Sequence, residues 1–515
     1  LSWISIFIKR GISLLLVLKN NKLVNLFNYL PVVFVLGYVN CANAVFSIST
    51  IEKIHGHFPS ISINGELVDS SAFAEKLSIV SMPNGQLRDS QSNIQDFKIS
   101  PSTTYNDIKW VLPAKQDSNE DNKLIIEANG QEVKLSDIAE NLGMTIFDED
   151  GDEGIPEGVL SATWYYSLPG GNGMGDSRYK QVPENELNNT MEPCRAPYKL
   201  VLSIKNIKAA TQYGLPFESN IDYADVKQEY IFKSSINQIC YARPNPMMSS
   251  KNWSWIQYDG DMPYGYGWNS DHISATPNTK HGGGYIQSQW HPELGFFLNN
   301  NGYNNKFPKT AFKGATFQLW LSNDQQDYLF STDDDNISVN ELGVVTFNAK
   351  PQRKTFQVFI WPKDSKGIED RIVFWTDLKF WAKYVRETNE YSEDLCGGIQ
   401  NQLTIADWNN TPQALDPTAD SGNLGHGVAM TRKFDGGLNG EWGQVVKEYY
   451  PKSDFLTSGL VNGTSQRHAW VSDTTDNGNT HHVVFMLNSG VHKVVGNKWT
   501  AVPFSTVHEV CKEVW

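Results

Sequence analysis

Cysteine is scarce, with five in 515 residues and no Cys-x-x-Cys pair, which excludes a zinc cluster of the usual spacing and a thioredoxin-type site. Positive charge is short as well. Lys and Arg number 43 against 57 Asp and Glu, a formal net charge of −14. A field of that sign repels phosphate backbones and disfavours nucleic-acid binding, so no nucleic-acid partner is expected. Long apolar runs are missing. The most apolar candidate, Leu30–Val39, has ten residues, where a membrane-spanning helix needs about 20. Signature loops of catalysis are missing too: no Gly-x-Ser-x-Gly elbow, Walker loop or dinucleotide fingerprint occurs.

What is present points to strands. The chain is 40% hydrophobic and 12% aromatic, with 16 Trp, 21 Tyr and 40 Gly, a composition suited to many short strands joined by turns. At about 100–200 residues per domain, its length implies several domains. The first 44 residues carry Lys9, Arg10, Lys19 and Lys22 and no acid, then the apolar run, then Cys-Ala-Asn-Ala at 41–44. That order reads as a secretory signal cleaved after Ala44, leaving no stable membrane span. Cleavage leaves 39 bases against 57 acids, a net −18.

Cleavage also removes Cys41 and leaves Cys194, Cys240, Cys396 and Cys511. An even number in an exported protein reads as two disulfides. Three pairings are open, and pairing of sequence neighbours, Cys194–Cys240 and Cys396–Cys511, is the simplest.

Residues 45–140 form a β-rich region with hairpin-type turns at Asn64-Gly65, Asn84-Gly85 and Asn129-Gly130. Residues 141–310 open on Phe147-Asp-Glu-Asp-Gly-Asp-Glu-Gly154. Hard cations want several oxygens from one loop, so Asp148, Asp150 and Asp152 are candidate calcium ligands, although the EF-hand spacing is not met. The stretch from Trp253 to Trp290 is dense in Trp, Tyr, Gly and Asn. With Asp271, His272, His281, His291 and Glu293 it is where an active site would sit if the chain were an enzyme. Residues 311–385 read as a small β-sandwich, with strands over Ala315–Leu321, Tyr328–Thr332, Ile337–Phe347, Thr355–Trp361 and Arg371–Asp377.

Ile337-Ser-Val followed by Leu342-Gly-Val-Val-Thr-Phe347 resembles a bacterial immunoglobulin-like repeat of the intimin/invasin adhesins. Residues 386–515 resemble the C-type-lectin-like tip domain of that family. The resemblance rests on Cys396, the Gly436-x-Leu-x-x-Glu-Trp-Gly443 motif, Trp470-Val-Ser-Asp473 and the closing Val510-Cys511, in that order. The middle segment, with Glu192-Pro-Cys194 and Phe307-Pro308, resembles the additional adhesin domain beside such repeats. The true lectin calcium loop is not matched. Trp408-Asn-Asn410 is the nearest triplet and lies too close to Cys396, so the fold is lectin-like without implying sugar binding. Nor does the chain show room for the outer-membrane β-barrel of the family.

The expectation is therefore a mostly β, multidomain chain: a β-rich N-terminal adhesin-type region, an Ig-like sandwich and an α+β lectin-like C-terminal domain. It would be an exported bacterial adhesin, secreted or held at the cell surface. It would bind a host-cell surface receptor, protein or glycan, and need no cofactor unless the acidic loop holds calcium. Loops Asp416–His426 and Asp473–His481 are the candidate contacts, being polar loops on a rigid scaffold. The competing class is a secreted carbohydrate-active enzyme, or a toxin subunit, docking through the same tail.

Overall fold

A computed structural model describes residues 58–89, 97–115, 124–149, 151, 153–168, 179–211, 218, 225–244, 282–291, 294–298, 306–416, 430–457, 466–486, 490–500 and 505–515. The architecture is mostly β and multidomain. The candidate signal, Asp150, Asp152, Asp271, His272, His281, Glu293 and His426 lie outside the described residues.

The first unit is built around two 14-residue strands, Gly154–Ser167 and Tyr198–Thr211, paired antiparallel. Leu160, Ala162 and Trp164 point into the core at every second position, as do Leu200, Leu202 and Ile204. At Asn206, φ +54°, one extra residue enters the second strand, and the register shifts opposite Glu157/Val159. Inward positions then change parity, to Ile207 and Ala209, as a bulge requires. Val226–Ser234 and Phe97–Ile99 extend the sheet on one side, Tyr179–Gln181 lies on the other, and Glu132–Lys134 also pairs with Gly154–Ser167. Strands on both sides of position 140 thus share one sheet. They also share one core, running from Ile61 to Phe232. Asn64-Gly65, at φ +52° and +81°, makes the expected tight turn between Ser60–Ile63 and Glu66–Leu67.

The sandwich sets a three-stranded sheet, Tyr328–Thr332, Thr355–Pro362 and Ile372–Asp377, against a larger one. The larger sheet runs in the order Trp290–His291, Gly295–Phe297, Ile239–Pro244, Thr316–Leu321, Val344–Phe347, Ile337–Val339. Phe317 meets Phe374 at 5.7 Å between ring centroids, and Phe347 meets Phe356 at 5.5 Å. Gly343, φ +73°, turns the Ile337–Phe347 hairpin where a Cβ would sit 2.9 Å from the Leu319 carbonyl oxygen.

The C-terminal part is a six-stranded mixed sheet. Its order is Thr310–Phe312, Phe380–Glu387, Ser505–Glu513, Gln466–Thr475, Thr480–Phe485, Val491–Val495, with short helices at Ile405–Trp408, Pro412–Leu415 and Gly437–Trp442. This sheet crosses positions 310 and 385. The core beneath it is continuous with that of the sandwich, from Ile239 to Val510. Among the described residues, no helix is long and apolar enough to cross a membrane.

Candidate functional site

Both disulfides join sequence neighbours. Cys194–Cys240 ties the first unit to the first sandwich strand in sequence, and Cys396–Cys511 ties the entry of the tip to its last strand. Closing loops of 46 and 115 residues stabilises the fold by about 4 and about 5 kcal/mol on the chain-entropy model. Glu509 lies beside the second bond, its Oε1 accepting the Cys396 N–H at 2.7 Å and its Oε2 the Arg386 Nε–H at 2.7 Å.

The Glu441-Trp442 motif is the joint between sandwich and tip. Glu441 is fully buried. Its carboxylate accepts Lys309 N–H at 2.9 Å, Thr310 N–H at 2.9 Å and the Thr310 hydroxyl at 2.7 Å. Burial pushes its pKa up to about 7, against these donors, which favour the charged form. Trp442 Nε1–H donates to the Thr310 carbonyl at 3.0 Å, and Tyr450 Oη–H to the Trp442 carbonyl at 2.7 Å. Arg432, also buried, donates to the Glu441 carbonyl at 2.8 Å and stacks its guanidinium 4.6 Å from the Trp290 ring centroid. These groups hold the domains together and face no solvent. Nothing in the sequence singled out Arg432, which becomes legible only once Trp290 is placed beside it.

The candidate contact residues divide. Asp473 and His481 are brought together on the hairpin between Gln466–Thr475 and Thr480–Phe485, with Thr474 opposite His481. Asp473 is used by the fold: its carboxylate accepts the Ile405 N–H at 2.7 Å, at the first turn of a helix capped by Thr404. His481 stacks on Tyr391 with centroids 4.1 Å apart. Burial, then the neighbouring His482, holds its pKa below the usual value against Glu393. Thr474, Asp476, Asn477, Gly478 and Asn479 are the exposed positions of the hairpin. Asp416 ends the helix Pro412–Leu415, away from that hairpin in the fold order, and the loop it opens is not described as far as His426.

Of the acidic loop, Asp148 follows Met144–Phe147, and its carbonyl accepts the Gly151 N–H at 3.2 Å in a tight turn. His291 ends a short edge strand of the sandwich. Among the described residues, the only grouping of ligand-type atoms is Cys396, Glu509 and Cys511, and its sulfurs are spent in the disulfide.

A second feature escaped sequence reading. Five histidines lie on the tip sheet: His468, His481, His482, His492 and His508. His468 is fully buried among Phe485, Trp499 and His492, with no hydrogen-bond partner among the described residues for either ring nitrogen. Burial, then the neighbouring His492 and His508, holds its pKa well below the ordinary value. His508 contacts Thr506 Oγ1 at 2.8 Å, and burial followed by the Arg467 charge lowers its pKa to about 4.

Residues 297–372 match the family model described as Invasin, domain 4. Three solved structures are similar at low identity. An EHEC O157:H7 intimin mutant is 13% identical, covering 40% of this chain and 88% of that one, with a TM-score of 0.24. Invasin, described as a bacterial integrin-binding protein, is 12% identical over 89% of this chain and 80% of its own, at 0.30. Intimin in a complex with Tir90 is 14% identical, with 40% and 88% covered, at 0.25. No curated sequence matches the chain. The chain thus contains a bacterial Ig-like unit of the invasin type, which supports an adhesin-type function.

Proposed function

We propose that this protein is a bacterial surface or secreted adhesin whose C-terminal lectin-like domain binds a host-cell receptor, protein or glycan, without turnover. The observation that carries the reading is the invasin domain 4 match at 297–372, set directly before a disulfide-closed tip. The Glu441 joint supports it, because a tip rigidly joined to its spacer presents its loops in a fixed direction.

Contact is assigned to the exposed positions of the 474–479 hairpin and to the loop opening at Asp416. Asp473 positions the hairpin and does not touch the receptor. Binding of the purified protein to cultured epithelial cells tests this. Replacing Thr474 and Asn479 by Ala and Asn477 by Gly leaves the hairpin its conformation, since Asn477 sits at φ +57°. Saturable binding that weakens by about tenfold or more in that variant is expected. Binding unchanged there, and unchanged also on replacing Asp416, would remove the tip loops from recognition.

A further inference from the structure

The outer face of the three-stranded sandwich sheet is apolar where a spacer needs none. Along Thr355–Pro362 the inward side chains are Phe356, Val358 and Ile360, which leaves Phe359 and Trp361 on the other face. Leu329 stands opposite Trp361, Val373 opposite Phe359, and Trp375 opposite Gln357. Leu329 is 56% exposed and Trp375 39%. Ring centroids of Phe359 and Trp361 lie 5.8 Å apart, and Arg371 covers Phe359 at 4.8 Å.

This patch ends at an open edge. Among the described residues, Ile372–Asp377 pairs only with Thr355–Pro362. The Leu378 N–H donates to the Lys354 carbonyl at 2.8 Å, which fixes the alternation of the ladder. Thr376, Phe374 and Ile372 therefore bond inward, and the N–H and C=O groups of Val373 and Trp375 face out. Among the described residues, no hydrogen bond reaches them. Lys309 Nζ closes the far end by donating to the Asp377 carbonyl at 3.2 Å. An open edge bearing exposed apolar side chains is a template for another strand.

We propose that Ile372–Asp377 pairs antiparallel with the same strand of a second copy, about a two-fold axis at Phe374. The charges select that occupant and that register. Centred on Phe374, Arg371, already extended as it enters the strand, stands opposite the second copy's Asp377. Val373 and Trp375 then meet across the axis on the apolar face, with their outward N–H and C=O groups paired. Shifting the axis to Trp375 sets Asp377 against Val373, and shifting it to Val373 sets Arg371 against Trp375, so either shift loses the opposite-charge pair. The present partner of Asp377 is Lys354, an exposed pair that exchanges at little cost. The overall charge of −14 opposes association, but salt at 0.15 M screens it beyond about 8 Å. The two strands run oppositely, so the two tip domains leave the interface in opposite directions.

Sedimentation equilibrium of the full chain from about 1 to about 500 μM tests the proposal. A reversible dimer is expected. Trp375→Lys, on an exposed position, should weaken it by about tenfold or more. Arg371→Asp and Asp377→Arg should each weaken it. Combined in one chain, they should restore it to within about threefold of the parent, because each charge again meets its opposite. Circular dichroism confirms that each variant is folded. A monomer throughout the range, a dimer indifferent to Trp375→Lys, or a double reversal no better than the single changes would overturn the proposal.

Discussion

Single buried groups set how the tip responds to acid, and two of them act in opposite directions. Glu441 has its pKa raised to about 7 in the fold, from an ordinary value near 4.5. Its contribution to stability is fully present below about pH 4.5 and is lost as pH rises through 7, because the folded state holds the proton more tightly. His508 is lowered to about 4. Its contribution is fully present above about pH 6.5 and is lost as pH falls toward 4. Each is worth about 3 kcal/mol at its limits, and across pH 4.5–6.5 they largely cancel. Glu441→Gln should therefore steepen the loss of stability on acidification. It should also cost about 1–3 kcal/mol near neutral pH, since an amide has one acceptor oxygen for the donors of Lys309 and Thr310. Urea midpoints between pH 4.5 and 7 check both effects, and parallel pH curves for parent and variant would refute the assignment. His468 offers the converse case. Both ring nitrogens are buried without partners, so His468→Phe, which keeps a ring of similar volume, should stabilise the protein by about 1 kcal/mol and blunt its loss in acid. A lower melting temperature in that variant would show the imidazole to be needed.

Among elements, the second disulfide is the strongest local constraint on the tip. Replacing Cys396 and Cys511 together by Ala should cost about 3–5 kcal/mol, read as a lowered melting temperature, because a 115-residue loop is released in the unfolded chain. A change under about 1 kcal/mol would mean that the pairing of Phe380–Glu387 with Ser505–Glu513 already holds both ends. The strands themselves were legible in the sequence. Alternation of apolar residues located Thr316–Leu321, Thr355–Pro362 and Ile372–Asp377, and the Asn64-Gly65 turn was visible in its two residue types. Pairing was less legible. Nothing local marks Asn206 as the extra residue of a bulge, or says that Phe97–Ile99 lies parallel to Val226–Ser234. Those depend on partners far along the chain, Glu157 to Val159 for the bulge and Phe232 for Phe97. The candidate contacts were read from loop composition alone, which finds polar loops but cannot tell a carboxylate used by the fold, such as Asp473, from one free to meet a receptor.

At the scale of the whole molecule, the sandwich and tip share one core and should unfold as one body. Phe312, on the tip-sheet strand that runs directly into Thr316–Leu321 of the sandwich, is ringed by Trp442 at 5.6 Å, Tyr450 at 4.9 Å and Phe455 at 5.3 Å, all from the tip. Its strand pairs with Phe380–Glu387, which pairs in turn with Ser505–Glu513. Ending the chain at residue 385 would cut inside Phe380–Glu387, strip its outer partner, expose Phe312, and leave the Lys309 and Thr310 N–H groups without Glu441. Such a chain should bind a hydrophobic dye and lose its cooperative transition. Failure of that truncated chain to bind cells would then say nothing about where recognition resides. The first unit has its own core from Ile61 to Phe232. Its links to the sandwich include the Cys194–Cys240 bond, the paired amides of Ser234 and Asn323, and the Lys233–Asp327 and Lys98–Asp364 ion pairs. Calorimetry of the full chain should resolve two transitions, and Glu441→Ala should shift only the one that carries sandwich and tip. A third transition, with the tip melting apart from the sandwich, would separate the domains that the shared core joins and would make the tip alone a valid fragment for binding work.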